Sequence, residues 1–236
     1  MAALVWDATG SRRFETGVDH GVLYVMKDNA STLTDGVSHY ENGVVWNGLT
    51  GVTSSPDDAE PTDLWADNIK YATLRSAETY GATIEAFTYP DEWAVCDGSA
   101  VYTDGVYIGQ QGRKAFGFCY RTMLGTDTDP DVSDNDNNYL IHIIYNATAS
   151  PSERSYETVN DSPDAITFSW EITTTPVNVN VSGTNYKPTS EIVIDMSKLA
   201  AAKRTALLTK LYGGTSTNPE LPEPSALLGI INSATT

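Results

Sequence analysis

Basic residues are scarce in this chain. Its 236 residues include 14 Lys and Arg against 31 Asp and Glu, a formal net charge of −17. Such a balance disfavours attraction to nucleic acid or to an anionic membrane surface. Cysteine is scarcer still. Cys96 and Cys119 form no CxxC pair and have no metal-ligand cluster around them. Two thiols do not make a disulfide framework, and this usage fits folding in a reducing cytoplasm. No run of about 18 apolar residues exists, so no helix of membrane-spanning type is expected and no membrane anchoring. The opening "MAALVWDATGSRRFETG" lacks the apolar core of about 7–15 residues that a signal peptide needs. His20, His39 and His142 are scattered, without HxxH or HExxH spacing. Neither a nucleophile elbow nor a phosphate-binding glycine loop is present.

What is there points to β-structure. The chain carries 13 Tyr and 5 Trp, many Thr and Val, and Gly and Pro throughout. These are residues that suit pleated, half-buried surfaces. Apolar residues make up 40% of the chain, enough for a core without staples. The organisation read from the sequence is an N-terminal arm (1–16), one β-rich domain (17–214) and a Pro-rich C-terminal arm (215–236).

Along the chain, 17–26 reads as a first strand, with a short strand near Val44–Trp46 and a polar loop over 54–63. Residues 65–90 read as two strands around a turn near Gly81. "PDEWAVCDG" reads as a short helical turn ended by Gly98. Residues 107–124 read as one long strand, with Phe116, Phe118 and Tyr120 on one face. The opposite face carries the small Ala115, Gly117 and Cys119, which suits close approach of another backbone or sheet. The return strand 139–149 is apolar on both sides, so both are expected to be covered. A strand follows over 187–196, and 197–212 is the one expected helix. Asp195 or Ser197 would cap it and Gly213-Gly214 would end it. Lys198, Lys203, Arg204 and Lys210 give that helix a basic face, either an interface or a solvated surface. Pro219, Pro222 and Pro224 imply an extended segment leading to apolar Leu227, Leu228, Ile230 and Ile231. That tip either docks on its own body or grips a neighbouring subunit. The N-terminal Leu4, Val5 and Trp6 pose the same choice.

Several site-like patterns are set aside. Asp127, Asp129 and Asp131 resemble the start of a calcium loop, but Val132 and Asn138 stand where an EF-hand needs Gly and Glu. Four sequons occur, at Asn29, Asn146, Asn160 and Asn180. Without secretion they are only composition. Trp46, Trp65, Trp93 and Trp170 could line a sugar groove, or lie in the core. No catalytic residue, metal site or cofactor site is expected.

The segment "SPDAITFSWEITTTPV" (162–177) alternates strictly. Ile166, Phe168, Trp170 and Ile172 share one face, and Thr167, Ser169, Glu171 and Thr173 the other, as a half-buried strand requires. The longer segment "SPSERSYETVNDSPDAITFSWEITTTPV" (150–177), together with "RFETGVDHGVLYV", "GVVWNGLTGVTSSPDDAEPTDLWADNIKYATL", "GATIEAFTYPDEWAVCDGS" and "IGQQGRKAFGFCYRT", resembles the major tail protein, or tail tube protein, of long-tailed, non-contractile bacteriophages of Gram-positive hosts. The resemblance covers roughly residues 13–212. It implies an all-β-dominated subunit, a β-sandwich or split barrel with one helix packed outside. It also implies stacked, hexameric rings whose strands join into a continuous inner β-barrel, built on a tape-measure protein and passing DNA without binding it. Tail terminator and distal tail or baseplate proteins would be further partners, and the virion tail, assembled in the host cytoplasm, its location. On that reading Thr167, Ser169, Glu171 and Thr173 would face the lumen. The alternative, with this strand on the sheet away from the lumen, stays open. So do two other readings, a carbohydrate-binding β-sandwich and a tube of a contractile tail or secretion system.

Overall fold

The computed structural model describes residues 4–28, 38–57, 61–74, 79–128, 137–156, 158, 165–181 and 183–233. Antiparallel strands dominate it, as composition led us to expect. In chain order they are β1 (Arg13–Val25), β2 (Val44–Trp46), β3 (Leu49–Asp57), β4 (Thr62–Ala66), β5 (Ile69–Leu74), β6 (Thr79–Ala86), β7 (Ala100–Thr103) and β8 (Val106–Ile108). Then follow β9 (Phe116–Thr126), β10 (Tyr139–Ala149), β11 (Phe168–Thr174), β12 (Val177–Val181), β13 (Thr184–Thr189) and β14 (Glu191–Asp195). Two α-helices close the chain, α1 (Ala201–Tyr212) and α2 (Pro224–Ser233). Among the described residues, no helix is long and apolar enough to cross a membrane.

Eight strands form one sheet in the order β2-β1-β9-β10-β11-β6-β3, with β14 also paired to β10. The sheet does not close into a barrel. β10 organises it. One edge of β10 pairs with β9, while the other is shared between β14, at Leu140–Ile144, and β11, at Ala147–Ala149. A register shift between Ile144 and Ala147 marks the handover. Asn146 takes φ 48° there, a left-handed conformation that Asn tolerates better than most residues. Its backbone N–H donates to the Tyr40 hydroxyl at 3.0 Å.

The curled sheet has two cores, one on each face. The inner one gathers Leu23, Trp46, Ile84, Trp93, Phe116, Phe118, Ile144, Trp170 and Ile172 from both halves of the sheet. The 3-10 turn Asp91–Val95 inserts Trp93, whose ring lies 4.7 Å from Trp46, 4.9 Å from Phe116 and 5.4 Å from Trp170. Tilted and edge-on pairs of this kind add to the area each ring buries. The second core lies on the outer face of β1, β9, β10 and β14. There α1 and α2 bring Leu207, Leu211, Leu221 and Leu227 onto Ile141, Ile143 and Tyr145. Both faces of β10 are covered as far as Ala147, as its double-sided apolar pattern implied, and Thr148 beyond is exposed.

Several boundaries differ from the sequence reading. Residues 65–90 hold a hairpin and a further strand. The tight turn is at Asp67-Asn68, both at positive φ, whereas Gly81 sits inside β6. β3 continues through Ser54–Asp57, which had read as loop. Residues 107–124 split into the end of β8 and the start of β9. β12 and β13 form a separate hairpin before β14. Asp195 caps a 3-10 turn, accepting from the Ser197 N–H at 3.1 Å, and α1 starts only after Ala200, without a side-chain cap. Gly213, at φ 83°, ends α1 as expected.

For the C-terminal segment the structure shows the first of the two alternatives, docking on the chain's own body, and it corrects the extended reading: Pro224 occupies the first turn of α2, where the missing N–H costs nothing. Leu221 and Leu227 are completely buried in this chain's own second core. Leu228, Ile230 and Ile231 are half-buried alongside. The Ser38 hydroxyl donates to the Leu221 carbonyl at 2.7 Å, and the Gly43 N–H to that of Pro219 at 2.9 Å.

Candidate functional site

The feature that stands apart is the outer face of β3, β6 and β11. Here the helices stop and the sheet is bare. The register aligns three cross-strand rows: Gly51, Glu85 and Ser169; Thr53, Thr83 and Glu171; Ser55, Gly81 and Thr173. Residues directly opposite one another point to the same side of a sheet. Thr148 of β10 extends the last row. Thr167, Ser169, Glu171 and Thr173 are all exposed, although Thr167 precedes the strand proper. Behind them Trp170 and Ile172 are buried, and Phe168 is half-buried. Ile166, expected beneath the same face, is 40% exposed because the strand begins only at Phe168.

The chemistry of this face is uniform. β3, β6 and β11 contain no Lys, Arg or His at all. Their outward residues are hydroxyls, glycines and the carboxylates of Glu85 and Glu171. Those two occupy diagonal positions on neighbouring strands, roughly 7–8 Å apart in ordinary sheet geometry. Thr53, Ser55 and Thr83 bring the same chemistry as the predicted strand, yet sequence reasoning missed them. A shallow groove of about 300 Å³ runs over Ser55, Gly81, Thr83, Glu171 and Thr173. Such a surface can accept and donate weak hydrogen bonds and repel anions. It offers a phosphate no cationic partner.

The other predicted residues lie elsewhere. Three of the four bases on α1 and its approach are engaged within the chain. Lys198 pairs with Asp195 at 3.0 Å, Arg204 donates to the Leu199 carbonyl at 2.5 Å, and Lys210 pairs with Glu220. Lys203 is half-buried. Leu4, Val5 and Trp6 are 77–78% exposed. Trp46, Trp93 and Trp170 are core residues, whereas Trp65 is 68% exposed. Asp129, Asp131, Asn29 and Asn160 lie outside the described residues. Cys96 and Cys119 are free, and burial pushes both thiols up to about 12, far from nucleophilic use.

Two apolar hairpins were not foreseen as sites. β4–β5 exposes Leu64, Trp65, Ile69, Tyr71 and Leu74, while β7–β8 exposes Val101, Tyr102, Val106, Tyr107 and Ile108. The Asp67-Asn68 and Asp104-Gly105 pairs at their tips are the turn chemistry that could have placed them.

The fold therefore defines an antiparallel β-protein with a bare, cation-free sheet face and two apolar hairpins outside the main sheet. No protein-family model matches the chain, and no curated protein does. Among solved structures it is similar to a chain of the anti-feeding prophage (AFP) baseplate, with a TM-score of 0.34 and 7% identity. That alignment covers 77% of this chain and 95% of the other.

Proposed function

We propose that this protein is a structural subunit of a phage tail tube. On this reading it assembles with copies of itself into hexameric, stacked rings that conduct the genome. The observation that carries the reading is the face of β3, β6 and β11, which is wet, hydroxyl-rich and free of basic residues. DNA carries about one negative charge per 1.7 Å of axis. A wall bearing Lys or Arg would hold it, whereas Thr, Ser and Glu let it slide. Screening acts over roughly 8 Å at physiological salt, so wall charges matter only in a channel close to the duplex in width.

The sheet edges support assembly. β3 is the terminal strand of the sheet, and β11 pairs with β10 only from Ile172 onward. Edges of this kind invite a strand from another copy, and joining copies in a ring removes them. The exposed Leu4–Trp6 and the β4–β5 and β7–β8 hairpins are the apolar surfaces available for contacts within and between rings. A tape-measure protein, tail terminator and distal tail or baseplate proteins are the partners this role requires. The location would be the virion tail, after assembly in the host cytoplasm. The role uses no catalytic residue and no cofactor.

Two measurements test it. Negative-stain microscopy of concentrated protein should show hollow rings or tubes. Compact monomers at every concentration would refute the reading, and binding of such monomers to a glycan array would favour a carbohydrate-binding module instead. Glu171→Lys should leave tubes intact and slow genome ejection. Unchanged ejection would place this face on the outside of the tube.

A further inference from the structure

The sequence contains two Asn-Gly pairs, Asn42-Gly43 and Asn47-Gly48, one on each side of β2. Asn-Gly is turn chemistry, because glycine enters left-handed backbone at no steric cost. It is also a dipeptide open to attack on itself. Without a Cβ, nothing shields the glycine nitrogen from the asparagine carboxamide one residue back. The fold gives these two identical pairs opposite surroundings.

Gly43 is enclosed. Its N–H donates to the Pro219 carbonyl at 2.9 Å. A Cβ there would lie 2.6 Å from the Tyr24 ring and 2.8 Å from Val22 Cγ1, so this backbone is pressed against β1. Gly48 is exposed and takes φ 77°. Its carbonyl accepts from the Phe87 N–H at 2.8 Å, and the Trp46 indole N–H beside it donates to the Thr88 carbonyl at 2.9 Å. Asn47 is exposed as well and lines an open hollow of about 330 Å³ with Asp19 and His20. Among the described residues, neither the Gly48 N–H nor the Asn47 carboxamide has a hydrogen-bond partner. The corner is thus anchored through Trp46 and the Gly48 carbonyl, while the two groups that can react with each other are unengaged.

We propose that Asn47 is a site of spontaneous backbone modification, directed there rather than to Asn42 by the fold. The Gly48 nitrogen, on losing its proton to water, attacks Asn47 Cγ. The new N–C bond forms, the Cγ–Nδ2 bond breaks, and Nδ2 leaves as ammonia with protons from solvent. Water then opens the five-membered imide at one carbonyl or the other, giving isoaspartate or aspartate. Water is the sole co-reactant. The place makes the product matter. β2 and β3 are the two terminal strands of the main sheet, yet these two residues alone join them. Trp46 is buried in the inner core, and a Cβ on Gly21 of β1 would lie 2.5 Å from Leu49 Cδ1, so the corner has no slack. Isoaspartate puts an extra backbone atom into it and strains it. Either product also adds a negative charge to the hollow that Asp19 lines. The proposal is independent of what the assembled protein does.

Tandem mass spectrometry of the full-length chain, aged in warm buffer at pH 8, tests it. A parallel sample unfolded in urea supplies the intrinsic rate of each pair. In the folded chain Asn47 should gain one dalton at least about tenfold faster than Asn42, each measured against its unfolded rate, because reaction at Gly43 must wait for local opening. A smaller ratio, or no conversion of folded Asn47 while the unfolded chain reacts, overturns the proposal. Asn47→Gln should abolish the gain at this position. Thermal melts provide the second arm. Aged wild type should melt below fresh protein, and below the Asn47→Asp variant, which adds the charge without the extra backbone atom. Aged protein that melts with Asn47→Asp would overturn the strain assigned to the longer backbone.

Discussion

Gly117 shows how tightly the two cores share β9. A Cβ built there would lie 2.2 Å from Leu221 Cδ2 and 3.3 Å from the Tyr40 ring. The absent side chain is what lets Leu221 lie flat on the sheet and brings the C-terminal segment down with it. Gly117→Val should therefore destabilise the subunit by about 1–3 kcal/mol through overpacking, read from denaturant midpoints. Asp195 offers a charge-based counterpart. Burial acts to raise its carboxyl. Hydrogen bonds from Ser197 and Lys198 and the charges of Arg13 and Lys198 outweigh burial and hold it at about 2, below the ordinary 3.8. A depressed carboxylate contributes stability above its unfolded value and loses that contribution as pH falls through the folded one. Asp195→Asn should thus be less stable than wild type near neutrality. The difference should vanish as pH drops from about 4 toward 2, which acid unfolding curves of the two proteins would reveal.

Among the elements, α2 has the most direct consequence. Because Leu221 and Leu227 are core residues, truncation after Gly214 should lower the melting temperature of the monomer itself. Leu227→Ala alone should cost about 2–5 kcal/mol. The N-terminal segment differs: Leu4, Val5 and Trp6 touch little, so deleting residues 1–9 should leave monomer melting unchanged while raising the concentration needed for assembly. The contrast between these two ends was not legible in the sequence. Both combine a short apolar run with polar or proline-rich neighbours in sequence. Three prolines around 219–224 signalled extension although one of them starts a helix. β11 was legible because simple alternation suffices to describe a strand with one wet face. Only one strand of the candidate site could be read in this way. Thr53, Ser55, Thr83 and Glu85 join Ser169, Glu171 and Thr173 through inter-strand register, which is set by tertiary packing rather than by local pattern. Likewise, the turn of the β4–β5 hairpin was misassigned to Gly81. Asp67-Asn68 supplies the same positive φ without glycine, and Gly81 is needed where Ser55 and Ile172 carbonyls pass within 3.2–3.3 Å of its would-be Cβ.

For the whole molecule, the opposition between charge and apolar surface sets how copies can meet. Each copy carries −17, so bringing copies together is resisted by like-charge repulsion. Three of the four bases on and before α1 are already paired or bonded within the chain and so cannot offset much of it. In the assembly we propose, association would then rest on apolar contact and strand pairing, through the β4–β5 and β7–β8 hairpins and the open sheet edges. These interactions do not weaken when salt is added, whereas repulsion between exposed charges does, the screening length falling from about 30 Å at 0.01 M to about 10 Å at 0.1 M. The concentration at which rings or tubes form should therefore fall as sodium chloride is raised over that range. Replacing Trp65 and Tyr71 by Ser should raise it at every salt concentration, without changing the slope. Light scattering against protein concentration at three ionic strengths measures both effects. Salt-induced dissociation would mean instead that opposite charges on neighbouring copies hold the assembly together, with the half-buried Lys203 and the carboxylates of the bare sheet face the first residues to examine.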